Sequence, residues 1–252
     1  MSEAPAVTAC NPGPLTAKQI VEQLHARCGE ALAASTGPEH ESILGLSCIF
    51  CSDLEAWSRA LRDKQEYPLF ETALEEYALS VLNVCQGQYR NAFKSLRLVL
   101  ELCLQGTYLS TNLLLLSEWL KGEQDTNWTA LVDVESGIAS RRFCKAFFPE
   151  LVDHVANFRE MARKVYRELS ECIHGNVPAH IPLPTTLAFD AGALNVWHQK
   201  ASTVRLVVLF YLSVRYLNCV TVGDRSSLES GVRDQLGHIE AIRSVFGGPT
   251  SA

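Results

Sequence analysis

Apolar positions recur every three or four residues through nearly the whole chain, the spacing of one buried face of an α-helix. No Asn-Gly or Asp-Gly pair stands between alternating runs, so nothing marks a β-hairpin. Thr16 is placed to cap a first helix that runs to about Ala34 and stops at Thr36-Gly37-Pro38. Further helices are predicted over Glu41 to Lys64, over Tyr67 to Cys85, and from Gln88 through Gly106 with a continuation toward Lys121-Gly122. After a polar loop holding Asp125 and Trp128 come short helical pieces across Ser136 to Phe148. Pro149 suits the first turn of a long helix ending at His174, with Gly175-Asn176 as its stop. A proline-rich loop with Pro178, Pro182 and Pro184 leads to a helix over Ala191 to Cys219, and a last polar helix covers Ser226 to Phe246. The expected fold is an all-α, single-domain bundle over 15–246, between a leader at 1–14 and a tail at 247–252.

Two helices carry charge in unusual places. On a wheel of about 100° per residue, Arg159, Arg163, Arg167, Ser170 and His174 fall within roughly 80°. Leu151, Val155, Phe158, Met161, Val165, Leu169, Cys172 and Ile173 take the opposite side. Glu160, Lys164, Glu168 and Glu171 form a separate mixed-charge strip, which leaves the arginine strip without an acid and in want of an anion. His174 closes the last turn, where the helix dipole favours an imidazolium that can bind phosphate or hand a proton to a leaving oxygen. The helix after Gln88 is apolar almost all round except for Arg90, Lys94, Arg97, Glu101, Gln105 and Tyr108. Arg97 and Glu101 can pair at i,i+4. Burying that strip demands partners, and docking it near Arg167 and His174, with Glu101 positioning an arginine or the histidine, supplies them.

Composition narrows the function classes. The 252 residues carry a net charge of −6, which argues against broad coating of a polyanion and leaves room for a small basic site. Residues 141–167 are locally +4, whereas 53–76 are −4. Nine cysteines, several within apolar helical stretches (Cys85, Cys103, Cys144, Cys172, Cys219), read as reduced, buried thiols of a cytoplasmic protein. The leader has neither a basic start nor an apolar core and is not expected to be a signal peptide. Leu206 to Val214 is the longest strongly apolar run near the C-terminus, too short to cross a bilayer and suited to a central core or dimer helix. Cys48-Ile-Phe-Cys51 is read as a buried thiol pair on a helix, since no second Cys-x-x-Cys completes a zinc site. Glu171-x-x-His174 has no second copy to make a di-metal bundle site. Neither a metal nor a cofactor is expected.

The segment Tyr166-Arg-Glu-Leu-Ser-Glu-Cys-Ile-His174-Gly-Asn176 resembles the Arg-x4–6-His signature of the HEPN superfamily, here with a spacing of six. Gly87-Gln-Tyr-Arg-Asn-Ala-Phe-Lys-Ser-Leu-Arg97-Leu-Val-Leu-Glu101 resembles the aromatic, Leu-Arg and trailing Glu pattern of bacterial HEPN-like proteins, so the likeness spans about 77–176. It implies a helical bundle, commonly dimeric with the motifs meeting at the interface, and metal-independent RNA cleavage in the active members. These often act as toxins or phage-defence effectors, so RNA, a second copy of the chain and an antitoxin or defence-system protein are the implied partners. By position, Arg167 would hold the scissile phosphate and His174 would be the general acid or base. Arg97, Glu101, Arg163, Ser170 and Asn176 would support them. Glu168, directly after Arg167, departs from the polar residue common there and would repel phosphate unless it turns away. Other members are non-catalytic, so the alternative is a module that binds RNA, a nucleotide or a partner protein.

Overall fold

A computed structural model describes residues 15–173, the backbone of His174, residues 183–184 and residues 186–248. The predicted leader, Asn176, the loop prolines 178 and 182, and residues 249–252 of the predicted tail lie outside the described residues. Among those described, the chain forms eleven α-helices and one 3₁₀ turn, with no strand. They are α1 (Ala17–Ser35), α2 (Glu41–Leu61), α3 (Tyr67–Cys85), α4 (Tyr89–Leu109), α5 (Leu113–Leu120) and α6 (Trp128–Leu131). After them come α7 (Arg141–Phe147), the 3₁₀ turn Pro149–Leu151, α8 (Val155–His174), α9 (Ala191–Tyr216), α10 (Val222–Leu236) and α11 (Glu240–Val245). None is long and apolar enough to cross a membrane.

Local chemistry explains most boundaries. Thr16 caps α1 by accepting from the Gln19 N–H, and the Gln19 side chain accepts the Thr16 N–H in return. Asp190 caps α9 in the same way, accepting from the Ala193 N–H at 2.6 Å. Between α3 and α4 the chain reverses at Gly87, whose φ of +71° suits glycine and whose α-carbon faces the Ala188 carbonyl too closely for a side chain.

Three expected boundaries are corrected. The helix after Gln88 does not continue to Lys121: it ends at Leu109, and Asn112 starts α5 by accepting from the Leu115 N–H. The break is held from outside, because Arg215 of α9 donates to both the side chain and the carbonyl of Ser110. Pro149 does not open the long helix. It heads a 3₁₀ turn that drives Leu151 into the core, and α8 begins only at Val155. The last helix splits at Gly237-His238, where Ile239 turns inward, and its first half starts earlier than expected because Thr221 caps it.

One continuous core joins α2 to α10. Helix α9 lies at its centre: Val207 through Val214 are all buried, so the apolar run of the sequence is a core helix. Helices α4 and α8 pack on α9 and on each other, with Phe158 of α8 stacked on Phe210 of α9. Helices α2 and α3 cover α4 and α9 on another side, and α10 closes over α2 and α9. Burying Leu96, Leu100, Val208 and Leu212 contributes about 1.5–3 kcal/mol each from apolar area. Cysteines 85, 103, 144 and 172 are buried and free as expected, and burial pushes the Cys172 thiol up to about 11, which leaves it protonated and inert. Cys219 lies beyond the end of α9 and is exposed, and so is Cys48; neither belongs to a buried pair.

Candidate functional site

Helix α8 divides as its sequence pattern requires. Val155, Phe158, Val165, Leu169 and Cys172 are buried, while Arg163 and Arg167 are exposed and Arg159, Met161, Ser170 and Ile173 are half-buried. Arg167 has four-fifths of its side chain in solvent. Its Nε donates to Glu171 Oε1 at 3.0 Å, so the arginine strip does carry an acid, contrary to expectation. The reason is local: residues four apart are neighbours on a helix, and Glu171 sits beside the strip. Such an exposed pair contributes only about 0.3–0.5 kcal/mol. Glu168 points away and is taken up by Lys200 of α9 at 2.5 Å, so its charge is neutralised behind the strip. Ser170 donates to the Tyr166 carbonyl of its own helix at 2.7 Å. Arg159 reaches across to the Ala139 carbonyl.

The polar strip of α4 docks beside this face. Glu101 accepts two hydrogen bonds from Arg97, at 3.0 and 3.2 Å. Arg97 Nη2 in turn donates to the Tyr166 hydroxyl at 2.6 Å, and its guanidinium lies 4.5 Å from that ring's centre. Glu101 therefore positions an arginine, and Arg97 fixes the residue next to Arg167. Trp128, on the short helix α6, stacks flat on the same tyrosine with ring centres 3.8 Å apart. Burial, reinforced by the Glu101 charge, holds the Tyr166 hydroxyl above its ordinary pKa, so it stays a neutral hydrogen-bonding post.

Arg90, on the first turn of α4, donates to the Cys172 carbonyl at 3.3 Å, in the last turn of α8. It brings a cation to the end of α8, where the macrodipole is negative. Beside Arg90 a depression of about 410 Å³ is lined by Gly87, Gln88, Tyr89, Asn91, Pro184 and Thr186. The side chain of His174 and all of Asn176 lie outside the described residues. The structure thus brings Arg97, Glu101 and Tyr166 into one network against α8. It leaves Arg163 and Arg167 on the open side.

A second polar centre was not anticipated. Arg205 of α9 is buried and donates from Nε to Asp53 of α2 at 2.5 Å and from Nη1 to Asp234 of α10 at 2.8 Å. Asp53 is equally buried, and its carboxyl is raised by desolvation against the pull of Arg205. Gly231 makes the crossing possible, since a β-carbon there would collide with Asp53 Oδ1. The signal in the sequence was a charge at the edge of an all-apolar helical run, which requires buried partners.

Next to that centre, His198 Nδ1 and Ser47 Oγ lie 2.7 Å apart. Burial depresses the His198 pKa below the usual 6.5. On acidification the unfolded chain takes up this proton first, so the associated stability is present above about pH 6.5 and is lost as pH falls toward the folded value. Thermal midpoints from pH 7.5 to 5 are expected to fall less steeply for His198→Gln than for the wild type. Parallel slopes for the two proteins would refute that role.

Compared with known proteins, the chain matches no family model, no curated protein and no solved structure.

Proposed function

We propose that the protein is a metal-independent endoribonuclease of HEPN type, with its centre at the end of α8. The observation that carries the reading is the open cationic face, where Arg163 and Arg167 stand in solvent while Glu168 is drawn back to Lys200. The departure that weakened the sequence motif is thereby neutralised. In this reading Arg167 exchanges its weak surface pair with Glu171 for a phosphodiester oxygen, a bidentate partner it fits better. His174, four turns from Arg159 along the same strip and at the dipole-favoured helix end, moves the proton between the 2′-hydroxyl and the leaving 5′-oxygen. A 2′,3′-cyclic phosphate and a 5′-hydroxyl are the products. Arg97, Glu101 and Tyr166 act at one remove, by fixing α8 against α4. Asn176 is a supporting contact on the motif's pattern alone. A toxin or phage-defence role, with an antitoxin or defence-system partner, follows from the resemblance and awaits the activity.

The test is cleavage of labelled single-stranded RNA by the purified protein in EDTA, with the 3′ ends analysed for cyclic phosphate. The expected result is metal-independent cutting with those ends. One observation favours a second reading: Arg167 is already engaged by Glu171. RNA that is bound in a salt-dependent way but left uncut would assign the face to a non-catalytic RNA-binding module.

A further inference from the structure

Helices α2 and α10 pack against each other with a cavity of about 360 Å³ between them. Positions 49, 52, 53 and 56 of α2 and 227, 230, 231 and 234 of α10 recur every three or four residues, so each set is one helical stripe, and the two stripes line the space. It stays open because Ser52 and Ala56 on one helix oppose Ser227, Ser230 and Gly231 on the other. The buried wall is Asp53, Trp57 and Arg205, and the exposed Leu46 and Ile49 form an apolar lip.

The ion pairs on that wall leave hydrogen-bonding capacity unused. Arg205 donates from Nε to Asp53 Oδ2 and from Nη1 to Asp234 Oδ2, while its Nη2 is buried with no acceptor. Among the described residues, neither Asp53 Oδ1 nor Asp234 Oδ1 accepts a hydrogen bond. Asp53 and Arg205 are each more than nine-tenths buried, where unmade bonds of charged groups are costly. One donor and two acceptors therefore lack partners around a cavity whose three charges sum to −1.

That arithmetic selects a ligand. An anion meets two carboxylates for one guanidinium and is repelled. A simple amine satisfies the carboxylates but offers Nη2 nothing. An α-ammonium group beside an amide carbonyl carries one positive charge, three N–H donors for the two Oδ1 atoms and one neutral oxygen for Nη2. An apolar side chain on its α-carbon covers Leu46 and Ile49. The volume sits near the lower end of the range for small-molecule sites, about 300–1,000 Å³, and suits one or two amino-acid units.

We propose that the α2–α10 cavity binds an α-ammonium amide with an apolar side chain, the chemistry shared by a free amino-acid amide and the N-terminus of a peptide. Asp53 and Asp234 take the ammonium and Arg205 the carbonyl. The site is independent of any reading of α8.

Isothermal titration calorimetry of the full chain at pH 7, where an α-ammonium is largely charged, tests it with leucinamide as the probe. Leucinamide is expected to bind. N-acetyl-leucinamide lacks the charge and leucine adds a carboxylate, so each is expected to bind at least about tenfold more weakly. Two variants keep the buried Arg205–Asp53 pair. Asp234→Asn is expected to bind leucinamide at least about tenfold more weakly with an unchanged helical spectrum. Ser230→Trp fills the cavity from an exposed position, removes none of the three charges and is expected to abolish binding. A pentapeptide amide of leucine followed by glycines separates the sources. Affinity equal to that of leucinamide assigns the site to a peptide N-terminus, and loss of binding assigns it to a free amino-acid derivative. No binding of leucinamide at millimolar concentration overturns the proposal. So does equal affinity for N-acetyl-leucinamide or leucine, or undiminished binding by either variant.

Discussion

His174→Ala is expected to leave the helical spectrum and thermal midpoint unchanged while lowering the rate of RNA cleavage by about 10²-fold or more. The magnitude follows from removal of a general acid or base, which typically contributes about 10²–10⁴-fold. Stability should be spared because the residue is the last of α8, so its replacement interrupts no helical turn beyond it. Arg167→Ala is expected to match the loss in rate and, in addition, to weaken RNA binding. Its guanidinium stands in solvent and, among the described residues, its hydrogen bond runs to Glu171 along the same helix, so the fold does not depend on it. Arg167→Lys should recover little, because a lysine cannot make the two parallel hydrogen bonds of a guanidinium. Cleavage that survives both alanine variants unchanged would remove the proposed centre from the reaction.

The largest stability effect is expected at Arg205, remote from that face. Arg205→Met should cost about 3–5 kcal/mol at pH 7, because it leaves the buried Asp53 carboxylate without its cation. For a chain of this size that lowers the thermal midpoint by roughly 6–20 °C. Asp234→Asn should cost about 1 kcal/mol or less, since Asp234 is more than half exposed and water replaces much of what it loses. Desolvation already raises the Asp53 carboxyl in the wild type, and Arg205 opposes it. Without Arg205 the folded pKa rises further above the unfolded value. A carboxyl raised in this way favours the folded state at low pH and disfavours it as pH climbs through the folded pKa. Arg205→Met should therefore recover part of its deficit between pH 7 and pH 5. Urea unfolding at the two pH values measures this. Equal losses at both, or a loss no larger than that of Asp234→Asn, would show that the buried pair does not hold α2, α9 and α10 together. Arg205→Met with Asp53→Leu should recover much of the loss, because a buried pair replaced whole by apolar groups is often neutral.

The same two regions show where sequence reasoning stops. The faces of α8 were largely legible: of the residues assigned to its apolar arc all but Ile173 belong to the core or pack against it, and Arg163 and Arg167 stand outside. The docking of α4's polar strip onto α8 was legible too, because buried charges on an apolar helix must find partners. Its actual target, the Tyr166 hydroxyl, was not, nor was Trp128 closing over the ring from another helix. The Arg167–Glu171 pair lay in plain i,i+4 register and was obscured by treating the two as members of separate strips. Arg205 borders the apolar run Leu206 to Val214, and a charge on a helix buried all round marks an internal ion pair.

The order of the helices, their buried faces and the cap of α1 were legible in the sequence alone, because each depends on residues within about four positions, as Thr16 does with Gln19, whereas the end of α4 was not, being held by Arg215 from 105 positions away. Which distant charge answers which was decided by tertiary structure alone. Glu168 meets Lys200 across 32 positions and Arg205 meets Asp53 across 152. Those distances are closed by helix packing, whose angles are set by the joint fit of many side chains. No local pattern encodes that fit. The apolar positions of α1 belong to the same class: the sequence places Ile20, Val21 and Leu24 on one side of a helix, and only the packing shows that the described residues leave them exposed.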